Sequence, residues 1–184
     1  MIDLQRFHAT FGKPQGAHYP DEKLLQEYTN VLPEALLEIW AETGFAHFRD
    51  GMLWIVDPTS LEDELRRWPD TPKAAVPVMR SAFGKIVYWA TDQFTYLDVH
   101  LNVRFDIGDN TGLVFNLFLT QEKSLQSVLN QSLFRSALKK LGAIAADEMY
   151  AYALPIAMGG DLDIGNIEIV KMREQLAILA QING

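Results

Sequence analysis

The apolar pattern in the first quarter of the chain predicts two short helices, over residues 21–28 and 33–42. Pro33 suits the first position of the second helix, and Gly44 is a typical stop signal. The apolar residues of the second helix are spaced as one helical face requires: Leu36, Leu37, Ile39 and Trp40. We expect the two helices to pair as an N-terminal helical cap.

An apolar run followed by an Asp-Pro pair predicts a buried strand and then a helix. The run covers residues 51–56, and Asp57 before Pro58 suits the N-cap of a helix over residues 59–68. Carboxylates near the start of that helix would interact favourably with its positive N-terminal end. These carboxylates belong to Glu62, Asp63 and Glu64. We interpret the Asp-Pro pair as structural.

Beyond residue 75 the pattern becomes typical of β-strands. Short apolar runs are separated by turn residues, and they predict four strands, over residues 76–79, 85–90, 96–105 and 113–119. These strands should form an antiparallel meander. The Gly, Asp and Asn residues at 108–112 are typical of a hairpin turn between the last two strands.

The third predicted strand alternates between apolar and polar residues from Leu97 to Phe105. Because side chains of a strand alternate between its two faces, one face should enter the core and the other should meet polar surroundings. His100 belongs to the polar set, so we expect it to be exposed.

The last third of the chain is predicted to be mainly helical. Helices are expected over residues 121–130 and 132–141, a strand or turn over 149–153, and a terminal helix over 168–181. The fold class is therefore α+β. We expect an antiparallel meander with flanking helices packed on one side, and the helical cap at the N-terminus.

Charge and composition limit the possible partners and compartments. The chain has 24 acidic and 16 basic residues, for a net charge of −8, which disfavours direct nucleic-acid binding and attracts basic partners. It has no cysteine, which removes disulfides and thiolate chemistry. The N-terminus lacks the pattern of a signal peptide, and no apolar run is long enough to cross a membrane. We predict a cytoplasmic protein without membrane contact.

Phosphate-binding and metal-binding motifs are incomplete in this sequence. Gly160 and Gly165 have the spacing of P-loop glycines, but Asn166 and Ile167 stand where Lys and Ser or Thr would be needed. The acidic segments at 106–110 and 161–163 lack the Gly and Glu of a calcium loop. We therefore predict no cofactor and no metal site.

Catalytic motifs are also absent from the sequence. No Ser stands in a Gly-x-Ser-x-Gly elbow, and the four histidines lack the spacing of a zinc protease. We assign no catalytic residue and predict that the protein is not an enzyme. A hydrolase whose residues meet only in space remains an alternative, since such a site leaves no local pattern.

The segment from Glu148 to Gln181 resembles a known family. It contains Glu-x-Tyr, an apolar run with Pro155, a Gly-Gly pair, and a closing Leu-Ala-Gln. The residues of the pattern that we expect to be structural are Gly159, Gly160, Asn166 and Lys171. Together they resemble the C-terminal domain of type VI secretion immunity proteins, which protect a bacterium from its own DNase-type toxin.

An earlier segment resembles the GAD-like domain that precedes this C-terminal domain in related proteins. Its pattern runs from Leu32-Pro33 through Gly44 to Asp57-Pro58. The resemblance implies a GAD-like part over residues 1–72 and an immunity domain over 73–184, packed as one unit. The two glycines of the Gly-Gly pair would allow a sharp turn or a close approach, and Asn166 and Lys171 would cap or orient the last helix.

The resemblance implies that this protein binds and neutralises a cognate basic toxin, a nuclease, in the cytoplasm. Acidic groups would be natural contacts, since they mimic phosphate. The candidate residues are Glu62, Asp63, Glu64, Asp106, Asp109, Asp161 and Asp163. An alternative is a regulatory or scaffold module that binds another protein or a small ligand, which a defined apolar pocket with convergent polar groups would favour.

Overall fold

The computed structural model describes residues 2–183, and a seven-stranded antiparallel sheet forms its centre. The strands lie in chain order, so that each pairs with the one before it. They are β1 (Gln15–His18), β2 (Phe45–Phe48), β3 (Leu53–Ile55), β4 (Val76–Ser81), β5 (Ile86–Ala90), β6 (Gln93–Asp98) and β7 (Val103–Gly108). This order confirms the predicted meander. A separate antiparallel pair joins β8 (Glu148–Tyr152) to β9 (Ile167–Lys171).

Helices complete an α+β fold, as predicted. They are α1 (Gln5–Phe11), α2 (Glu22–Tyr28), α3 (Glu34–Thr43), α4 (Glu62–Leu65), α5 (Thr111–Leu113), α6 (Glu122–Ser127), α7 (Gln131–Leu141) and α8 (Met172–Asn183). A π-helical segment, Val114–Phe118, continues α5, and short 3-10 turns lie at Pro58–Ser60, Ile156–Met158 and Ile164–Asn166. None of the helices between residues 2 and 183 is both long and apolar enough to span a membrane.

The predicted helical cap is present. Helix α3 ends where Gly44 takes a φ of +74°, a conformation that glycine adopts without strain. Tyr28 of α2 meets Trp40 of α3 edge to face, with ring centroids 5.6 Å apart. Both rings are buried, so the two helices pack against each other as expected.

The sheet buries apolar side chains on both faces. In β5, Val87 and Trp89 belong to one hydrophobic cluster, whereas Ile86 and Tyr88 belong to another. The first cluster includes residues of α1, α3 and α7, and the second includes residues of α4 and α8. Helices therefore cover both faces, and the expectation that they pack on one side is wrong.

The strand predicted over residues 96–105 is a hairpin. Strand β6 ends at Asp98, whose Oδ1 accepts hydrogen bonds from the backbone N–H groups of His100 and Leu101, at 3.0 and 3.2 Å. These bonds fix a turn, and β7 begins only at Val103. The alternating pattern of the sequence continues across this turn, and its last apolar residues lie outside the core. Val103 is 48% exposed and Phe105 is 41% exposed.

The strand predicted over residues 113–119 is helical. The side chain of Asn110 accepts a hydrogen bond from the backbone N–H of Leu113 at 3.0 Å and caps α5. Buried Thr111, Val114 and Phe115 lie three and four positions apart, which is helical spacing. The prediction of a hairpin turn at 108–112 is also wrong, because these residues lead from β7 into a helix and not into another strand.

Two other helix predictions need correction. The segment predicted as one helix over 59–68 consists of a 3-10 turn and the short α4. The segment predicted as helical over 168–181 begins with β9, and α8 starts only at Met172. The remaining predicted strands and helices are present with shifted ends. The division of the chain at residue 72 stays a prediction, and β3 and β4, on either side of it, pair directly.

Candidate functional site

An exposed loop joins β8 to β9, and we call residues 153–166 the β8–β9 loop. Three large apolar side chains of the loop face solvent, since Leu154 is 46% exposed, Met158 61% and Leu162 62%. Asp161 and Asp163 are exposed between and beside them. The loop thus combines apolar and acidic side chains on a surface that is free to contact another molecule.

Asn166 holds this loop in one shape. Its Nδ2 donates hydrogen bonds to the carbonyl oxygens of Leu154, at 2.9 Å, and Asp161, at 3.0 Å. Its Oδ1 accepts a hydrogen bond from the backbone N–H of Leu154 at 2.9 Å. Strand β9 separates Asn166 from α8. The side chain of Asn166 therefore orders the loop, and the predicted role in capping or orienting the last helix is wrong.

The Gly-Gly pair supports the same conformation in two ways. Gly159 has a φ of +92°, which favours glycine. At Gly160 an added Cβ would stand 1.8 Å from the carbonyl oxygen of Leu154, far inside any real contact. The first glycine therefore supplies a turn, and the second supplies a close approach of two backbone segments.

Lys171 and Asp57 make local contacts elsewhere on the surface. The ammonium group of Lys171, at the end of β9, lies 2.7 Å from the carboxylate of Asp147 and 3.3 Å from that of Glu148. These contacts raise the pKa of Lys171 through hydrogen bonds to both carboxylates. Asp57 accepts a hydrogen bond from the backbone N–H of Thr59 at 2.9 Å and caps the turn that Pro58 begins.

The other candidate acids lie on different elements. Local partners occur in both sets, since Asp163 of the loop accepts a hydrogen bond from the backbone N–H of Gly165 at 2.7 Å. Glu62 and Asp63 both pair with Arg66, at 2.7 and 3.1 Å, and Glu62 also accepts a hydrogen bond from the hydroxyl of Tyr28 at 2.7 Å. Glu64 is buried. These residues belong to α4, far along the chain from the β8–β9 loop.

The remaining two acids, Asp106 and Asp109, lie on and just after edge strand β7. Asp106 accepts a hydrogen bond from the hydroxyl of Thr95 at 3.0 Å. The predicted acids thus belong to three separate parts of the chain: α4, the end of β7 and the β8–β9 loop.

A buried ionic network lies behind the β8–β9 loop. The ammonium group of Lys85 lies 2.9 Å from Asp98, and it also donates to the side chain of Asn130 at 3.2 Å and to the carbonyl of Ser127 at 3.4 Å. Burial alone would raise the pKa of Asp98, but Lys85 outweighs burial and holds it below its usual value. All three Lys85 donors have acceptors, as a buried ammonium requires.

His100 is buried beside this network, so the prediction that it is exposed is wrong. Its Nε2 lies 2.8 Å from the carbonyl oxygen of Phe83, and because that oxygen only accepts, Nε2 carries the proton. Its Nδ1 has no hydrogen-bond partner among the described residues. Burial lowers the pKa of His100 to about 4. The ring stacks edge to face on Tyr152, with centroids 4.9 Å apart.

A cavity of about 260 Å³ lies between this network and Leu162 of the loop. A serine hydrolase would need a serine hydroxyl that is hydrogen-bonded to a histidine. Ser127 lines the cavity, but its hydroxyl donates to the carbonyl of Lys123 at 2.8 Å, and Nδ1 of His100 has no partner among residues 2–183. Within that part, no group of three or more His, Asp or Glu residues is placed to hold a metal ion.

Comparison with known families agrees with the resemblance in the sequence. The model of the GAD-like domain matches residues 3–103, more than half of the chain. The chain belongs to the GAD-like family. Residues 113–183 of this GAD-like protein match the C-terminal domain of the T6SS immunity protein Tdi1, which supports an immunity role in type VI secretion.

Solved structures show the same fold. The crystal structure of Atu4351 from Agrobacterium tumefaciens superposes with a TM-score of 0.79, covering 97% of the GAD-like protein and 89% of Atu4351. The two sequences are 20% identical, so this similarity concerns the fold alone. A search of curated proteins gave no match.

The buried network connects the two matched regions of the GAD-like protein. Lys85, Asp98 and His100 lie in the first region, whereas Asn130 and Tyr152 lie in the second. Lys85 and Asp98 were not among the predicted site residues. One feature of the sequence could have indicated the buried network. Lys85 stands at the start of an apolar strand, where a charged side chain needs a partner.

Proposed function

We propose that this GAD-like protein binds and neutralises a cognate DNase toxin of a type VI secretion system, in the cytoplasm of the cell that makes both. The match of residues 113–183 to the Tdi1 C-terminal domain supports the immunity role. Inhibition would require no catalysis, because a protein that covers an active site or a substrate groove blocks it by occupancy.

The observation that carries the proposed mode of binding is the composition of the β8–β9 loop. Interfaces usually depend on a few apolar anchors surrounded by polar groups. Leu154, Met158 and Leu162 provide exposed anchors, and Asp161 and Asp163 provide the acidic groups. The loop also lies inside the region that matches the immunity domain.

The rigid shape of the loop favours tight binding. Ordering a flexible loop at an interface costs free energy, and a loop that already has its bound shape avoids that cost. The three hydrogen bonds of Asn166 and the close approach at Gly160 supply this order before any partner arrives.

Charge favours the encounter with a nuclease. A DNase needs a positive groove for its substrate, and a protein with a net charge of −8 attracts such a groove at long range. Asp161 and Asp163 would take the place of DNA phosphates. The acids of α4 and β7 would contribute to the field rather than to the central contact: Glu62, Asp63, Glu64, Asp106 and Asp109.

The test is co-expression with the toxin encoded beside this gene, in a host that the toxin alone kills. We expect the wild-type protein to restore survival, and the variant Asp161→Lys/Asp163→Lys to lose this protection. The matched control is Glu27→Lys/Glu42→Lys, which makes the same charge change at exposed positions near the ends of α2 and α3. Purified proteins should show a Kd weakened by about a hundredfold for the loop variant and little changed for the control.

A second pair of variants tests the apolar anchors. Met158→Ser/Leu162→Ser should also abolish protection, whereas Leu113→Ser/Leu117→Ser, at exposed positions next to edge strand β7, should not. The reverse result would move the interface from the loop to the β7 edge. Absence of protection by the wild-type protein would overturn the immunity proposal itself.

A further inference from the structure

A second pocket lies away from the β8–β9 loop, between β1–β4 and the start of α8. Its volume is about 350 Å³, which suits a small organic molecule. Its lining combines polar and charged residues with six large or small apolar ones: Phe45, Ala46, Trp54, Ile55, Val56 and Met172. We call it the Arg80 pocket, because that residue also lines it.

Arg80 is a buried cation without a close counter-ion. It is 1% exposed, and its Cζ lies 4.2 Å above the ring of Trp54. Nη1 donates to the carbonyl of Ser81 at 3.3 Å, and Nη2 donates to the carbonyl of Ala146 at 3.0 Å. No carboxylate among residues 2–183 lies within 4.0 Å of the guanidinium group.

A buried charge without a partner is costly, and proteins usually pair it. Burial lowers the pKa of Arg80 to about 9, and the carboxylate of Asp147 offsets only part of that effect. A guanidinium group has five N–H donors in a planar fork that matches a carboxylate. Arg80 uses two of these donors on backbone carbonyls, and it therefore has capacity for an anion from the pocket.

The rim of the pocket carries charges that are already engaged. Asp147 pairs with Lys171 at 2.7 Å, and Asp57 accepts a hydrogen bond from Thr59. Arg173 donates to the carbonyl of Ser60 at 3.0 Å. The side chains of Asp147 and Arg173 are 66% and 61% exposed, so solvent screens them, whereas Asp57 is 26% exposed and lies 4.0 Å from His18. Among the charged residues that line the pocket, Arg80 is the buried cation.

We propose that the Arg80 pocket binds a small organic carboxylate. The carboxylate would lie against the Arg80 guanidinium, and an apolar aliphatic or aromatic body would contact Phe45, Ile55 and Met172. This site differs from the toxin-binding surface and does not depend on it. The protein would thus bind a small ligand in addition to carrying out its proposed immunity function.

The test measures binding of phenylacetate and benzoate to the full-length protein by calorimetry and by tryptophan fluorescence, because Trp54 lines the pocket. Benzyl alcohol, which lacks the charge, and inorganic phosphate, which lacks the apolar body, are the control probes. We expect saturable binding of at least one carboxylate, with benzyl alcohol and phosphate weaker by about tenfold or more.

Two substitutions locate the binding. Arg80→Met should weaken carboxylate binding by about tenfold or more, since it removes the charged partner. Ala146→Trp fills the mouth of the pocket from an exposed position and keeps the backbone carbonyl that Arg80 uses. Its matched control is Ala145→Trp, at a neighbouring exposed position that does not line the pocket.

Loss of binding in Ala146→Trp with retention in Ala145→Trp would support the proposal, even where Arg80→Met does not fold. Four results would overturn it. These are absence of saturable binding by both carboxylates, equal binding of benzyl alcohol or phosphate, unchanged carboxylate binding in a folded Arg80→Met variant, and unchanged carboxylate binding in Ala146→Trp.

Discussion

The ammonium group of Lys85 lies 2.9 Å from the carboxylate of Asp98, and the two side chains are only 5% and 6% exposed. The turn after β6 depends on the same carboxylate, because its other oxygen accepts two backbone hydrogen bonds. Lys85 also donates to Ser127 and Asn130 in the C-terminal region. One ion pair thus joins a strand, a turn and the second matched region.

We predict that Lys85→Met lowers the free energy of unfolding by about 3–5 kcal/mol, because it leaves the carboxylate of Asp98 buried without its partner. The double variant Lys85→Met/Asp98→Leu should lose less than the sum of the two single variants, since it leaves no uncompensated charge. Urea unfolding followed by tryptophan fluorescence measures these changes.

The control for this prediction is an exposed ion pair. Arg66→Ala breaks the contacts of 2.7 Å with Glu62 and 3.1 Å with Asp63 at the surface, and we expect a loss below about 1 kcal/mol. A Lys85→Met variant as stable as this control would contradict the central role of the buried pair.

We predict that the protein loses stability as the pH falls below about 6.5. Burial lowers the pKa of His100 to about 4 from its usual 6.5. Between these pH values the unfolded chain binds a proton that the folded protein does not, so the free energy of unfolding decreases by about 3 kcal/mol.

The groups that face His100 are Asp98, Lys85, Tyr152 and the carbonyl of Phe83. The pKa of Asp98 is lowered in the fold, so its contribution is also lost at acidic pH, as the pH falls through that lowered value. The variant His100→Phe removes the contribution of the histidine to this pH dependence and keeps the carboxylate of Asp98. Urea unfolding should show a flatter dependence between pH 6.5 and 4 for this variant, and an unchanged slope would contradict the prediction.

We predict that Gly160→Ala disturbs the β8–β9 loop more than Gly159→Ala does. The added Cβ at Gly160 would overlap the carbonyl of Leu154, so the backbone must move. At Gly159 the space is open, and only the strain of a positive φ remains, about 1 kcal/mol. Hydrogen exchange of the amides in residues 154–165 should accelerate clearly in the first variant, and equal exchange in both would contradict this account.

We predict that association with the toxin slows as salt is added. The attraction between acidic and basic surfaces decreases as the Debye length falls from about 10 Å at 0.1 M salt to about 3 Å at 1 M. Stopped-flow measurements should give a steep decrease of the association rate constant for the wild-type protein. The decrease should be weaker for Asp161→Lys/Asp163→Lys, and identical slopes would exclude these residues from steering.

The helices of the cap were predictable because local signals agreed with the tertiary structure. In α3, Pro33 precedes the first turn, the apolar residues share one face, and Gly44 ends the helix. No long-range contact had to override these signals. The same holds for β5, which is apolar throughout, and for residues 76–79 of β4, because both faces of the sheet are covered.

The hairpin of β6 and β7 could not be predicted from alternation alone. Its turn depends on hydrogen bonds from Asp98, and Asp98 depends on Lys85, which comes thirteen residues earlier in the sequence. A local sequence pattern does not reveal that ion pair. The prediction of a strand over the π-helical segment after α5 was wrong for another reason. The Val and Phe residues of this segment have high strand propensity, but their burial follows a helical period.

The β8–β9 loop was predictable only in part. The Gly-Gly pair and Asn166 stood out in the sequence, but the partners of Asn166 are backbone groups of Leu154 and Asp161, which no side-chain pattern reveals. The Arg80 pocket is formed by strands and a helix that are distant in sequence, so no motif indicates it.

The order of the strands in the central sheet has a consequence for the synthesis of this protein. Each strand from β2 to β7 pairs with the strand translated just before it, so the loops that must close are mostly short and their entropic cost is small. The sheet can therefore assemble progressively while the ribosome still holds the C-terminal helices. If the protein neutralises a toxin as proposed, a core that begins to fold during translation shortens the time before it can bind.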